Sequence, residues 1–180
     1  MAETVRWVGA VLTGGRSTRM GRDKASIPVD GAPMAVRVAD ALRVAGARDV
    51  VCIGPSVGAL PAVADEHPGE GPLAGILTAM RWADDRTLVV APCDLLAPDP
   101  ASFAVLAAGA APVAAALADR PLPIGLRPDA LDPLARAFES GERSIRGALR
   151  SSGLTVIAVE LPPSSLADAD TPGDLRTDAG

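Results

Sequence analysis

Aromatic side chains are scarce in this sequence. The 180 residues include no tyrosine, two tryptophans and two phenylalanines. Proteins that bind single-stranded nucleic acid stack its bases on aromatic side chains, and this chain has few to offer. The net charge of −5 also repels a polyanion unless a local basic patch opposes it. The composition therefore argues against nucleic acid as a partner.

Histidine and cysteine are also rare. A single histidine, His67, excludes a multi-histidine metal site. The two cysteines, Cys52 and Cys93, form no recognisable disulfide framework or zinc motif. Any bound metal is therefore expected to have oxygen ligands, which favours Mg²⁺ over Zn²⁺. We expect a reduced, cytoplasmic setting.

Long hydrophobic runs are absent too. No stretch reaches the length of a membrane span without a charge or a proline. The apolar run near the amino terminus is interrupted by Arg6 and is too short for a signal peptide. Yet 48% of the residues are apolar, which is enough for a substantial core. We expect one domain over residues 1–180, with no membrane contact.

Strand-like and helix-like patterns alternate along the chain. Strands are predicted at 5–12, 49–54, 87–94, 111–118, 121–127 and 154–161. Helices are predicted at 33–46, 71–85, 99–109, 128–141 and 142–153, with a last helical turn at 170–175. This alternation predicts an α/β fold: a three-layer α/β/α sandwich around a mostly parallel, Rossmann-like central sheet. In such folds, ligands bind at the carboxyl ends of the strands.

A glycine-rich, basic loop follows the first strand. Gly14 and Gly15 lack a Cβ, so their backbone amides could approach an anion closely. The loop also carries four basic residues, Arg16, Arg19, Arg22 and Lys24. The spacing is neither that of a Walker A motif nor G-x-G-x-x-G. From these residues alone, a phosphate-binding loop and an ordinary solvated loop remain equally open.

Three further motifs have both a functional and a structural interpretation. Asp94 ends an apolar strand, where it could hold Mg²⁺ together with substrate phosphates or simply form a turn. Asp168 and Asp170 share a face if extended, giving a second carboxylate for a metal or a cap before a helix. Gly71 and Pro72 begin a helix whose free amides could face a ligand. Taken singly, each motif favours the structural role.

Taken together, the motifs resemble a known family. "VLTGGRSTRMGRDKASIPVDGAPM" is similar to the signature loop of nucleotidyltransferases with the nucleotide-diphospho-sugar transferase fold. Within that group, "EGPLAGIL", "VVAPCDLL", "SGERSIRGAL" and "DADTPGDL", in this order, resemble the molybdenum cofactor guanylyltransferases. The resemblance runs from about Val8 to Leu175. It implies transfer of GMP from GTP to molybdenum-molybdopterin, which releases pyrophosphate and forms the molybdopterin guanine dinucleotide cofactor.

The resemblance also implies roles for individual residues. Nucleotide binding falls to Leu12, Thr13, Gly14, Gly15, Arg16, Lys24, Cys52, Asp65, Gly71, Pro72 and Asp94. Catalysis by charge neutralisation falls to Lys24, Arg19 and Asp94. Mg²⁺, the implied cofactor, is expected on Asp94 and Asp170, and the molybdopterin acceptor on Arg143 and Ser144. Residues 5–100 would bind the nucleotide and residues 101–176 the acceptor. Whether other molybdenum cofactor proteins receive the product is left open.

The chain departs from the family pattern at four places. Arg120 stands where the family often has a histidine, and Cys52 aligns near an expected asparagine. A one-residue deletion before Gly71 makes Asp65 an alignment choice over Glu66. Thr13 replaces the commoner alanine.

Two other classes of function remain open from the sequence. One is the same fold acting as a molybdopterin cytidylyltransferase or a sugar-phosphate nucleotidyltransferase. The other is a non-catalytic, nucleotide-binding regulatory protein, against which the presence of both Lys24 and Asp94 argues. The enzyme hypothesis requires the Lys24 ammonium and the Asp94 carboxylate to lie on the same side of the molecule.

Overall fold

A computed structural model describes residues 6–14, 24–110, 113–116 and 120–169. The strands of these residues are β1 (Trp7–Leu12), β2 (Pro28–Val29), β3 (Ala32–Pro33), β4 (Val50–Ile53), β5 (Ala62–Val63), β6 (Thr87–Pro92), β7 (Val113–Ala116), β8 (Ile124–Leu126) and β9 (Val156–Val159). The α-helices are α1 (Met34–Val44), α2 (Pro72–Ala83), α3 (Pro100–Gly109), α4 (Leu131–Glu139) and α5 (Ile145–Ser151). Short 3₁₀ helices cover Lys24–Ser26, Pro128–Ala130 and Pro163–Leu166.

Seven of the described strands form one sheet, in the order β5-β4-β1-β6-β8-β7-β9. Strands β5, β4, β1 and β6 are parallel neighbours, and β7 pairs with β9 in parallel. Only β8 among these seven runs the other way, antiparallel to β6 and to β7. The prediction of a mostly parallel sheet is confirmed.

Helices cover both faces of this sheet. On one face, α2, α4 and α5 pack against β1, β4 and β6 through residues such as Leu77, Phe138 and Ile145. On the other face, α1 and α3 pack through residues such as Leu42 and Phe103. The three-layer sandwich expected from the sequence is therefore confirmed. No helix in the described part of the chain is long and apolar enough to span a membrane.

Most predicted elements are present, with trimmed ends. The helix expected at 142–153 begins only at Ile145, because Ser144 accepts a hydrogen bond from the Gly147 amide and caps it. The strand expected at 154–161 is reduced to Val156–Val159 at the edge of the sheet. The short strand β5 and the β2–β3 hairpin escaped prediction because two-residue strands carry no periodicity. The predicted turn at 170–175 lies outside the described residues.

Candidate active site

The carboxyl ends of β1, β4 and β6 lie side by side at one edge of the sheet. Leu12, the last residue of β1, is paired in register with Ile53 of β4 and with Pro92 of β6. The chain that follows each of these strands therefore emerges at the same place. Gly14, Gly54 and Asp94 therefore lie at this edge. We call this edge of the molecule the strand-end rim.

Lys24 and Asp94 are in direct contact at the strand-end rim. The Lys24 ammonium lies 3.3 Å from Oδ2 of Asp94 and donates a hydrogen bond of 2.8 Å to the carbonyl of Ala169. The two charged side chains are 14% and 20% exposed, so they are only partly shielded from solvent. Lys24 and Asp94 therefore lie on the same side of the molecule, as the enzyme hypothesis requires.

The segment after the last 3₁₀ helix runs alongside Asp94. Leu95 and Asp168 form an antiparallel bridge. The Leu96 amide donates to the carbonyl of Ala167 at 2.8 Å, and the Ala169 amide donates to the carbonyl of Asp94 at 3.0 Å. Asp168 and Ala169 are thus brought to the strand-end rim by backbone pairing, which a side-chain pattern does not reveal.

The backbone after β1 is tied to β4. The amides of Thr13 and Gly14 donate to the Ile53 carbonyl at 3.0 and 3.2 Å. The buried Thr13 hydroxyl donates to the carbonyl of Pro55 at 2.7 Å. The expectation that the Gly14 amide is available to an anion is therefore wrong, because that amide already has an acceptor. Leu12 and Thr13 are buried at the end of β1, and Gly14 beside them is exposed, so their roles in nucleotide binding stay predictions.

Gly54 is the glycine that this close approach requires. Its φ is +109°, and a Cβ on it would lie 2.7 Å from the Gly14 nitrogen and 2.9 Å from the Gly14 Cα. Gly14 itself would accept a Cβ at ordinary contact distances, the nearest atom being the Ile53 carbonyl oxygen at 3.7 Å. The sequence analysis missed Gly54. The available signal was a glycine at a strand end: Gly54 directly follows β4, and Gly14 lies two residues after β1.

The Cys52 side chain packs away from the rim, and its predicted role in nucleotide binding stays a prediction. Its side chain is fully buried against the α1 and α3 face of the sheet. Burial raises the pKa of the thiol, so it stays protonated at neutral pH. Because adjacent residues of a strand face opposite sides, an alignment near this position says little about which side chain reaches the ligand.

The amino end of α2 also lies at the strand-end rim. A Cβ on Gly75 would lie 3.1 Å from a Leu12 methyl group, so the first turn of α2 sits directly over the end of β1. Gly71, with φ +94°, and Pro72 are both exposed at the start of this helix, and no side chain caps it. The helix therefore presents its first amides at the rim, as expected for Gly71 and Pro72.

Asp65 and Glu66 have different surroundings. The Asp65 carboxylate accepts hydrogen bonds from the His67 amide at 3.0 Å and from the Thr78 hydroxyl at 3.3 Å, which fixes it against α2. Glu66 points outwards to an ion pair with Arg81. Asp65 is held in place with one oxygen turned away from these donors, which supports the choice of Asp65 over Glu66.

Arg143 and Ser144 lie beside the start of α2 and are engaged with the protein. The Arg143 guanidinium packs 4.0 Å from the centre of the Phe138 ring and pairs with Glu70 at 2.8 Å. The Ser144 hydroxyl caps α5. A Cβ on Gly71 would approach the Arg143 carbonyl at 3.4 Å, so this segment borders the rim. Its side chains mainly fix the "GERS" turn.

Glu142 completes that turn. Its carboxylate accepts hydrogen bonds from the amides of Ser144 and Arg143, each at 2.8 Å. These hydrogen bonds lower the pKa of Glu142, and the one from the Ser144 amide has the largest effect. A Cβ on Gly147 would collide with the carboxylate. The glycine of "GERSIRG" is thus needed for Glu142 to fold back over the start of α5.

The oxygen ligands at the rim suit a hard cation that keeps most of its bound water molecules. No group of three or more His, Cys, Asp or Glu side chains able to hold a metal occurs within residues 6–14, 24–110 and 120–169. Asp94 uses Oδ2 for Lys24, and no donor from the described residues lies on Oδ1. A single carboxylate oxygen at an open edge fits Mg²⁺, which commonly binds one or two carboxylates and completes its shell with phosphates and water.

Four predicted site residues lie outside the described residues. These are Gly15, Arg16, Arg19 and Asp170. Gly14 and Lys24 flank the first three, and Ala169 directly precedes Asp170. Their predicted roles in phosphate and metal binding remain predictions.

Two cavities open elsewhere on the molecule. One, of about 370 Å³, lies at the amino end of β1 between Arg48 and Arg86. The other, of about 660 Å³, lies between Arg37 of α1 and Pro98. Neither contains Lys24 or Asp94. Parallel sheets bind ligands at the carboxyl ends of their strands, which is where Lys24 and Asp94 lie.

Comparisons with known proteins agree with this geometry. The sequence model of the MobA-like NTP transferase domain matches residues 9–156. The chain is 42% identical over 162 residues to a molybdenum cofactor guanylyltransferase of Xanthomonas euvesicatoria, covering 86% of this chain and 85% of that protein. It is 31% identical to a probable molybdenum cofactor guanylyltransferase of Rhodopirellula baltica, covering 93% of this chain and 89% of that one.

Solved structures show the same fold. Molybdopterin-guanine dinucleotide biosynthesis protein A from Archaeoglobus fulgidus superposes with a TM-score of 0.76 at 23% identity, covering 93% of this chain and 94% of that one. A 2-C-methyl-D-erythritol 4-phosphate cytidylyltransferase from Thermus thermophilus gives 0.72 at 16% identity, covering 93% and 95%. These likenesses show the fold, while the sequence matches show the family. The chain belongs to the MobA-like NTP transferase family and, within it, to the molybdenum cofactor guanylyltransferases.

Proposed function

We propose that this nucleotidyltransferase transfers GMP from GTP to the terminal phosphate of molybdenum-molybdopterin, releasing pyrophosphate, and that it depends on Mg²⁺ held at Asp94. Family membership supports the guanylyltransferase reaction. The observation that carries the proposal is the contact of the Lys24 ammonium with the Asp94 carboxylate at the strand-end rim, at 3.3 Å. One group supplies positive charge to phosphate, and the other supplies a ligand for a cation.

The chemistry explains why so few acid–base groups are needed. The attacking phosphate, the α-phosphate and the leaving pyrophosphate all carry negative charge, so positioning and charge neutralisation matter more than proton transfer. Lys24 is fixed by Asp94 and by the Ala169 carbonyl, which holds its ammonium beside the rim. Mg²⁺, when bound, supplies a second positive charge to the phosphate oxygens. A site without a catalytic histidine is consistent with this scheme.

Several parts of the proposal concern the two substrates. We assign Leu12, Thr13 and the exposed Gly14, together with the first turn of α2, to binding of the nucleotide. Asp65, fixed by Thr78, is the residue we assign to the guanine nucleotide. Arg143 and Ser144 border the acceptor side through the turn that they build. We accordingly assign residues 5–100 to the nucleotide and 101–176 to the acceptor.

Nucleotide selectivity tests the proposal. Thermal unfolding of the protein should be measured with GTP, ATP, CTP or UTP, each with and without Mg²⁺. Binding to the folded state alone stabilises it by about 2.7 kcal/mol at a ligand concentration a hundred times Kd, so the preferred nucleotide raises the unfolding midpoint. We expect GTP with Mg²⁺ to give the largest rise.

The other outcomes separate the remaining hypotheses. Preferential stabilisation by CTP would replace the proposal with a cytidylyltransferase. Stabilisation by GTP without pyrophosphate release in the presence of molybdenum-molybdopterin would indicate a regulatory protein. Equal shifts with and without Mg²⁺ would contradict the metal assignment.

A further inference from the structure

We propose that Arg120 is a positioning residue for the reaction. It holds Asp168, and through the segment 167–169 it fixes the positions of Lys24 and Asp94 relative to each other. The inference rests on the proposed function, because it assigns to Lys24 and Asp94 the roles described above. Arg120 itself is not proposed to contact the reacting phosphates.

The first link is an ion pair. The Arg120 guanidinium contacts the Asp168 carboxylate, and the two side chains are 43% and 27% exposed. Arg120 lies on the connection between β7 and β8, and β8 is the antiparallel neighbour of β6. The connection into β8 therefore emerges beside the carboxyl end of β6, next to Asp94. The topology places an arginine within reach of the segment that borders the site.

The second link is the backbone pairing of 167–169 with 94–96. It consists of the bridge between Leu95 and Asp168, the hydrogen bond from the Leu96 amide to Ala167 at 2.8 Å, and that from the Ala169 amide to Asp94 at 3.0 Å. Ala169 is fully buried against Val29 and Met34, which anchors the far end of the segment. Asp168, midway along the pairing, is the residue that Arg120 holds.

The third link reaches the functional groups. The carbonyl of Ala169 accepts the 2.8 Å hydrogen bond from Lys24, whose ammonium lies 3.3 Å from Asp94. One backbone unit thus carries an acceptor for Lys24 and a donor for the main chain of Asp94. A shift of Ala169 would move both partners of the charged pair relative to each other.

An arginine is well suited to this position. Its guanidinium stays charged at every working pH and binds a carboxylate with a planar set of donors. A partly exposed ion pair contributes little to global stability. Catalysis is more sensitive, since a misplacement of about 1 Å can lower a rate on the order of a hundredfold. The effect of Arg120 should therefore appear in the site rather than in unfolding.

The test compares Arg120→Ala with a matched control, Arg127→Ala. Arg127 lies at the other end of β8 and forms its own exposed pair with Asp129 at 3.6 Å. We expect Arg120→Ala to lower kcat about tenfold or more with KM for GTP and for the acceptor changed less than about twofold. Arg127→Ala should leave both parameters unchanged.

Amide hydrogen exchange provides a readout that does not depend on activity. In Arg120→Ala, the amides of Leu96 and Ala169 should lose protection, by about tenfold or more, because the pairing that protects them opens locally. Amides of β1 should be unaffected. Retained protection at both positions would overturn the proposal.

Asp168 supplies the partner test. Asp168→Asn should reproduce the loss of kcat and of protection, and the double variant should be no worse than either single variant, as for two residues that act through one contact. A rise in acceptor KM in Arg120→Ala that Asp168→Asn does not reproduce would show that Arg120 binds the acceptor directly, which contradicts the proposal. If the wild-type protein fails to turn over GTP, the proposed function fails, and the exchange data still decide whether Arg120 holds the segment.

Discussion

At the scale of single residues, the site depends on two side chains that lie 70 positions apart in the sequence. Lys24 follows the glycine loop and Asp94 follows β6, and the parallel register of β1 and β6 brings them together. Each charge is partly screened by the other, and both remain accessible at the rim. Under the proposed function, substrate phosphates contact Lys24 directly and Asp94 only through Mg²⁺.

Removing the charge of Asp94 tests the metal assignment. Asp94→Asn preserves the shape of the side chain and removes the anionic ligand, so Mg²⁺-dependent turnover should fall below detection. The side chain is 20% exposed, so the unfolding midpoint should change by only a few degrees. The checks are pyrophosphate release and thermal unfolding, with Asp40→Asn as a control in an exposed ion pair. Wild-type turnover in Asp94→Asn would refute the assignment.

Lys24 is tested in the same way. Lys24→Ala removes the ammonium that contacts Asp94 and Ala169, and we expect a loss of about a hundredfold or more in rate, as for the loss of one preorganised donor to a transition-state charge. Steady-state kinetics at saturating GTP is the measurement. If only the unfolding midpoint changed and the rate did not, the lysine would be a structural residue.

Gly54 and Gly14 form a matched pair for the backbone contact between β1 and β4. Gly54→Ala introduces a Cβ at a positive φ and 2.7 Å from the Gly14 nitrogen, so it should destabilise the protein by about 3 kcal/mol. Gly14→Ala meets only ordinary contacts and should cost less than about 1 kcal/mol. Urea denaturation measures both. Equal effects would mean that the two loops are not packed against each other as the structure shows.

At the scale of elements, α3 has the best-defined cap. Asp99 accepts hydrogen bonds from the amides of Ala101 and Ser102 and from the Ser102 hydroxyl. Ser102 also lies 3.2 Å, hydroxyl to hydroxyl, from Ser165, so the cap links α3 to the 3₁₀ helix that precedes the 167–169 segment. These contacts lower the pKa of Asp99 below its ordinary value of 3.8, and the hydrogen bond from the Ser102 hydroxyl has the largest effect.

The cap leads to a prediction about pH. Replacing a capping aspartate by alanine costs about 1 kcal/mol, so Asp99→Ala should lower the free energy of unfolding by that amount at pH 7. Because folding lowers the pKa of Asp99, its stabilisation of the folded protein is complete above pH 3.8. It is lost as the pH falls through the lower pKa that Asp99 has in the folded protein. Denaturation curves of both proteins between pH 7 and pH 3 should converge at the acidic end. A constant difference across this range would rule out the charged cap.

At the scale of the whole molecule, the two edges of the sheet differ. One edge is the two-residue strand β5, whereas the other is β9, of which Val156 and Ile157 are 40% and 42% exposed. Adjacent strand residues face opposite sides, so β9 is open to solvent on both faces. An exposed, apolar edge strand is a site at which chains can pair incorrectly.

A charge on β9 should therefore slow aggregation without weakening the fold. Ile157→Lys replaces an exposed side chain, so the free energy of unfolding should change by less than about 0.5 kcal/mol. Light scattering at a temperature near the unfolding midpoint should rise more slowly than for the wild type. Faster or unchanged scattering would show that aggregation starts elsewhere.

The sequence sufficed for the layered fold and for the meeting of Lys24 with Asp94, because strand periodicity and strand ends carry that information. It did not suffice for contacts made by the backbone. The Ala169 carbonyl cannot be recognised from an alanine, and the alignment near Cys52 did not reveal that its side chain is buried, because a one-residue difference reverses the face of a strand. The short strand β5 and the β2–β3 hairpin were missed because two residues show no alternation.

The hydrogen bond between Lys24 and Ala169 joins residues separated by 145 positions. During synthesis on the ribosome, the first strands can pair long before Ala169 has been made, since chains emerge from the amino terminus at about 5–20 residues per second. The lysine obtains this partner only after Ala169 has left the exit tunnel. A nascent or prematurely terminated chain should therefore be unable to consume nucleotide, even where most of its sheet has already assembled.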